Sequence, residues 1–369
     1  MRSCEPGCFL ADPAAAWGIL VQRQRTRLVA YVMLLTVFVG GIDTVPAGPL
    51  EVLAGFAAHP FSGSLFSTYH GEAPLWFVMA HVLGATTLAR YLTFCVIVVV
   101  LAYVLLYEGA RRTRRAPDPV LMLLLFAAHP VAHILQTWLG MEDGLTVVCT
   151  TLLLFLSSPW RIGLVAGLSL CNHPATAFIA PTVVMLRCLG DTGGPLRARH
   201  VLAAVLGVVL AKALLMLAFW GAAIETGTRL QYVQHTSIRG WGLMSLAHLP
   251  TALYSFNYGV WVPVVLMLGG FFRANPRLYG CYGACMVAYG AVTFFTRDTT
   301  RVFALLSWAP TLLCLLYTWR IAPGFAPQRA WWFRWSMVAC ALLGWLFPHV
   351  VVWDGRVHAP WFTQSFGIP

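Results

Sequence analysis

Charge is scarce in this sequence. Aspartate and glutamate total 13 in 369 residues, and charged residues make up 10% of the chain. Soluble domains run near a quarter charged, so an ordinary water-soluble domain is excluded. Lysine is nearly missing: of the 24 basic residues all but Lys212 are arginine. The net charge of +11 does not make this a nucleic-acid binder, because the arginines lie in short clusters between hydrophobic segments and not on one basic face. A nucleophile elbow, a P-loop and a dinucleotide fingerprint are absent. Short segments of alternating polarity are absent too, which excludes a membrane β-barrel. The ten cysteines have no zinc-type partners: Cys95, Cys149, Cys314 and Cys340 lie in apolar segments as small hydrophobes, and neither Cys4/Cys8 nor Cys281/Cys285 has a second ligand pair. No small-residue cleavage site follows Arg23, Arg25 and Arg27, so the first apolar stretch reads as a retained helix.

What the chain has is hydrophobic length. It is 59% hydrophobic with a mean hydropathy of +0.74. Apolar segments of roughly membrane-crossing length, about 20 residues, recur throughout. In lipid the backbone must satisfy its own hydrogen bonds, so these segments are helices. The fold expected is all-α: a single integral membrane domain over residues 1–369, a polytopic transmembrane helix bundle of about 11 spans. Residues 1–27 read as the cytoplasmic N-terminus. The spans expected are 28–41, 91–107, 119–137, 145–156, 162–170, 175–186, 201–222, 251–270, 278–295, 302–318 and 335–352. The first outer loop is 42–90 and the second 223–248. Within the first, Leu75–Leu88 is too short to cross and is placed along the membrane surface, at a depth that suits Trp76 and His81.

The arginines orient this arrangement. Seventeen fall on the side of the Arg111-Arg112-Thr113-Arg114-Arg115 cluster and six (Arg90, Arg229, Arg239, Arg297, Arg301, Arg356) on the other. By the positive-inside rule the N-terminus is cytoplasmic and the C-terminus outside, in the inner membrane of a bacterium if the arginine-rich usage reflects a GC-rich genome. Lys212 falls inside a span, where a charge costs about 2.5–3.5 kcal/mol on insertion scales, so it is expected to face protein or water.

That orientation puts Asp43, Glu51, Glu72, Glu142, Asp143, Glu225, Asp298 and Asp354 at the outer face, with arginines beside them. A carboxylate there can take a proton from a nucleophilic hydroxyl or hold a divalent cation. Arginine is the forked donor for a phosphate. Each candidate has a plainer reading. Asp43 could simply end the first helix. Glu142 and Asp143 could open the following helix as dipole-favoured acids. Asp298 and Arg301 could form a local ion pair, and His70 and Glu72 could be solvated loop residues. His129 and His133 stand four apart as a possible metal pair, but no third ligand is near and packing is favoured. His173 precedes a proline at a helix break, where packing and function are both open.

The order of these features resembles the GT-C superfamily of polytopic glycosyltransferases. An acid, Asp43, follows the first span. A proline-led segment, Ala73-Pro74-Leu75-Trp76-Phe77, leads through Leu88-Ala89-Arg90 into the second span and its arginine cluster. The third span carries His129-Pro130, the next outer turn carries Glu142-Asp143, and a later break reads Asn172-His173-Pro174. The likeness covers roughly residues 28–190. Two departures stand out: Asp43 lacks an adjacent second acid, and there is no large soluble C-terminal domain. The resemblance implies a transferase that moves a sugar from a polyprenyl-phosphate donor to a glycan, lipid or protein acceptor on the outer face. It implies Asp43 as the base, Glu142 and Asp143 as holders of a metal or the acceptor, and Arg301 with Arg229 or Arg239 on the lipid phosphate. His70, Glu72, His173 and Asp298 complete the substrate-binding candidates. A divalent cation is the cofactor these carboxylates could hold, and the sequence leaves metal dependence open. A transporter or flippase for a lipid-linked or anionic solute, and a polymerase or ligase of the O-antigen type, are the competing readings.

Overall fold

The computed structural model describes residues 49–112, 118–190, 198–227 and 238–359. The expected cytoplasmic segment 1–27 and the first span, 28–41, lie outside these residues. The described chain is all-α with one two-stranded hairpin, β1 (Val351–Trp353) paired antiparallel with β2 (Arg356–His358).

Three helices begin where the sequence offers a capping side chain followed by proline. Proline has no N–H to leave unsatisfied and its φ is already helical. Asp118 Oδ1 accepts from Val120 N at 2.7 Å at the start of α5 (Pro119–Ala128). Asn275 Oδ1 accepts from Leu278 N at 3.1 Å at the start of α14 (Pro276–Phe294). His129 does the same with its imidazole, Nδ1 accepting from Val131 N at 3.2 Å as α6 (Pro130–Thr137) begins. This bears on the reading of His129 and His133, four apart, as a possible metal pair on one helix. Pro130 breaks the helix by 64° at His129, so the two rings belong to different elements. His133 stacks instead on His349, with ring centroids 5.4 Å apart.

The described part of the stretch expected as the first outer loop folds into α1 (Pro49–Ala58), α2 (Gly63–Phe66), a 3₁₀ turn over Tyr69–Glu72, and α3 (Leu75–Val82). The helix expected to reach Leu88 ends early because Gly84 turns left-handed (φ 72°) and Ala85 N bonds back to Ala80 O at 2.8 Å. Trp76, expected at the membrane surface, is buried in the core and donates to Tyr91 Oη at 2.7 Å and Gly140 O at 3.1 Å.

Among the described residues three helices are long and apolar enough to cross a membrane: α4 (Leu88–Arg112), α10 (Ala198–Gly221) and α15 (Thr299–Ile321, continued by a 3₁₀ turn to Gly324). The number rises to five if α5 with α6, and α12 (Leu249–Ser255) with the helical stretch Tyr258–Ala274, which contains α13 (Trp261–Phe271), each count as one bent span. The expectation of 11 is therefore too high among the described residues. For α14, expected as the span 278–295, the reason is composition, since its 19 residues are long enough but not apolar enough; for the others it is length. The segments expected at 145–156, 162–170 and 175–186 do form helices: α7 (Asp143–Phe155), α8 (Pro159–Asn172) and α9 (Thr176–Gly190). At 13 to 15 residues they extend about 20 Å, against about 30 Å of hydrocarbon. The last expected span, 335–352, also stops short. The helix α16 (Pro327–Leu343) ends, Phe347 is extended ahead of Pro348, and the chain enters the hairpin.

The central element is α15, whose most apolar window is 83% buried, whereas the same measure for α10 is 11%. The peripheral α10 lies against α8 through small residues. A side chain at Gly207 would be driven into the Gly163 carbonyl, and one at Gly167 would meet Gly207 O at 3.0 Å. In lipid such close backbone approach is a main source of helix–helix affinity. The hairpin is tied down by Arg297, which forks onto Asp354 at 2.9 and 2.8 Å.

Candidate active site

The turn between α6 and α7 carries Glu142 and Asp143. Gly140 makes this turn possible, at φ 108°, a region hostile to side chains. Its carbonyl accepts from Trp76 of α3 and Tyr91 of α4, which pins the turn to both helices. Glu142 occupies the cap position of α7 but makes no side-chain cap bond, leaving its carboxylate to point elsewhere.

Glu142 meets two imidazoles. His70 Nδ1 lies 3.4 Å from Glu142 Oε2, and His173 Nε2 lies 3.9 Å from Glu142 Oε1, with all three side chains at least nine-tenths buried. His70 comes from the 3₁₀ turn and sits among Phe56, Tyr69 and Phe77. His173 comes from the break between α8 and α9. Its Nδ1 accepts from Ala175 N at 3.1 Å, so in the neutral ring the proton rides on Nε2, the nitrogen facing Glu142. Asn172 completes the arrangement: its Nδ2 donates to the Glu142 carbonyl at 2.8 Å and to Thr146 Oγ1 at 2.9 Å.

Asp143 points the other way, into α15. Its two oxygens take the fork of Arg301, Nε at 2.7 Å and Nη2 at 3.2 Å. Arg301 Nη1 reaches Asp298 at 2.9 Å. One guanidinium thus faces the carboxylates of Asp143 and Asp298 with Glu142 on the adjacent residue. The cluster keeps a surplus of negative charge unless the imidazoles take up protons, an arrangement suited to accepting a proton. Among the described residues no group of three His, Cys, Asp or Glu side chains is placed to hold a metal ion.

The structure therefore brings together His70, Glu142, Asp143, His173, Asp298 and Arg301 from four separate stretches of chain. Glu72, two residues after His70, faces the flank and pairs with Lys212 of α10 at 3.1 Å. Asp43, Arg229 and the side chain of Arg239 lie outside the described residues. Sequence reasoning named Asn172 only as part of the Asn-His-Pro break and not as a site residue, and passed over Tyr91 and the burial of Trp76. Asn172 carried a signal, as an amide within an apolar stretch ahead of His-Pro; Tyr91 and Trp76 carried none. An open groove of about 890 Å³ lies between Phe61–Ser67 and Ala223–Gly227, with Glu225 on its wall; none of the cluster residues lines it. Gly227 N closes one side by donating to Phe66 O at 2.7 Å. Its volume falls in the range of small-molecule sites.

Compared with protein-family models, with curated proteins and with solved structures, the chain shows no match.

Proposed function

We propose that the chain is a membrane glycosyltransferase of the GT-C kind, transferring a sugar from a polyprenyl-phosphate donor to an acceptor hydroxyl at the outer face. The observation that carries the reading is the buried Glu142 between His70 and His173, held by Asn172 and backed by Asp143 and Arg301. In the reaction the acceptor oxygen attacks the anomeric carbon, and the bond from that carbon to the phosphate oxygen breaks. The hydroxyl proton passes to a carboxylate, and the lipid phosphate leaves with the electron pair. Glu142 is a carboxylate placed for this proton, with the two imidazoles able to share it; Asp43 remains the other candidate base. Asp143 and Arg301 bind each other, so their part is to hold the Glu142 turn in place. The groove along Phe61–Ser67 offers room for an acceptor. The test is incubation of purified protein with polyprenyl-phosphate sugars and measurement of released lipid phosphate. Replacing Glu142 by Gln should lower release roughly 10²-fold or more. Undiminished release by a folded Glu142→Gln protein would remove Glu142 from the chemistry, and no release by wild type with any donor would remove the transferase reading.

A second reading, a transporter, has its own support. Two helices break at 64° and 83°, and the breaks meet where His129 Nε2 donates to Asn257 Oδ1 at 3.1 Å. Discontinuous helices of this kind build solute sites in transporters. Vesicle uptake of a lipid-linked or anionic solute that survives Glu142→Gln would favour it. The O-antigen-type polymerase reading needs the second outer loop to dominate the site, and residues 228–237 of that loop lie outside the described ones.

A further inference from the structure

Lys212 is the sole lysine of the chain and stands past the middle of α10, the least buried of the three long apolar helices. Its neighbours on that helix, Leu210, Leu214, Met216 and Leu217, are exposed hydrophobics that suit a lipid-facing surface. The ammonium is 3.1 Å from Glu72 Oε1, yet the Lys212 side chain remains 42% exposed. The first outer loop runs down this flank of α10. Phe66 packs on Phe219 with centroids 5.6 Å apart, and Glu72 meets Lys212 two turns earlier on the helix, about 10 Å farther along its axis. Behind the pair lies the candidate active site. Glu72 shares its turn with His70, which touches Glu142.

A polar track thus leads from the lipid-facing flank inward: Lys212 and Glu72, then His70, Glu142 and His173, then Asp143 and Arg301. Arg301 is poorly suited to bind a phosphate, because its fork is given to Asp143 and its remaining bond to Asp298, and withdrawing it would strand a buried carboxylate. Lys212 is suited. It is a compact point charge with donors to spare beyond its bond to Glu72, and it opens to the side from which a lipid would approach.

We propose that Lys212, with Glu72 as its resting counter-ion, receives the phosphate of a lipid-linked substrate that slides in sideways from the bilayer. The inference rests on the transferase reading for the identity of the lipid. The experiment separates the two by using a photoreactive polyprenyl monophosphate that carries no sugar, with the full chain in nanodiscs. Wild type should be labelled in a saturable way, and Lys212→Arg should keep the labelling. Lys212→Met should weaken it roughly ten- to a hundredfold, the loss of a charge-assisted bond to phosphate. The double variant Lys212→Met with Glu72→Gln leaves no stranded carboxylate, so it should fold and still bind weakly. Polyprenol without the phosphate should not compete, and neither should inorganic phosphate at the same concentration. Wild-type labelling in the double variant, or equal competition by phosphatidylglycerol, would overturn the proposal. Lysine-dependent labelling without any sugar transfer would sink the transferase reading alone and leave this site standing.

Discussion

The ion pair between Arg301 and Asp143 allows a magnitude to be worked out in advance. Asp143 is 1% exposed and Arg301 is 5% exposed, on helices 158 residues apart in sequence. Replacing Arg301 by Met removes three charge-assisted hydrogen bonds, at 2.7, 3.2 and 2.9 Å, and leaves two carboxylates facing an apolar side chain. Breaking a buried pair from one side costs about 3–5 kcal/mol, most of it the desolvation of the charge left behind. Lysine should rescue only part of this, since a single ammonium cannot span both oxygens of Asp143. Combining Arg301→Met with Asp143→Leu should recover part of the loss, because the deeply buried carboxylate is gone and only Asp298, whose side chain is 21% exposed, still lacks its partner. The assay is equilibrium unfolding in mixed micelles for both single variants and the double, read as a thermodynamic cycle. A loss below about 1 kcal/mol for Arg301→Met, or additive single and double effects, would refute the reasoning; the pair would then behave like an exposed one.

Two further outcomes are expected elsewhere. Arg297, hydrogen-bonded to Asp354, holds that carboxyl below the ordinary carboxylate range. A depressed folded-state value means the lock is fully present above about pH 4, where an unfolded Asp is ionised, and is lost only as pH falls through the lower folded value. Hydrogen exchange across Val351–His358 should therefore stay slow from neutral pH to about pH 4 and rise below it, while Asp354→Asn abolishes this dependence. At the α8–α10 contact, Gly207→Leu should destabilise by about 1–3 kcal/mol or more through overpacking against the Gly163 backbone, whereas Gly221→Leu, which meets open space, should change little in the same unfolding assay.

Particular residues show how far the sequence could be read. Pro119, Pro130, Pro159 and Pro276 mark helix starts because a proline at the first turn acts locally, on its own φ and its own missing N–H. Asp298 and Arg301 were within reach for the same reason, three apart on one turn. The hairpin was missed although Asp354-Gly355 sits at its tip with both residues at positive φ, because the apolar run Trp335–Val352 reads as a continuing span until Phe347-Pro348 stops it. Trp76 was misplaced because aromatic amphipathicity fits a membrane surface and a core equally well.

The sequence by itself determined a helical, membrane-suited chain. Backbone groups in an apolar medium must bond within their own segment, and the scarcity of charge leaves few residues from which a polar site could be made. It did not determine which of those residues meet. In helices that are apolar on every side no periodic stripe says which face turns inward. The contacts of Glu142 with His70 and His173, of Arg301 with Asp143, and of Lys212 with Glu72 were therefore fixed only when the helices packed. Each joins stretches of chain whose separation no local rule can bridge.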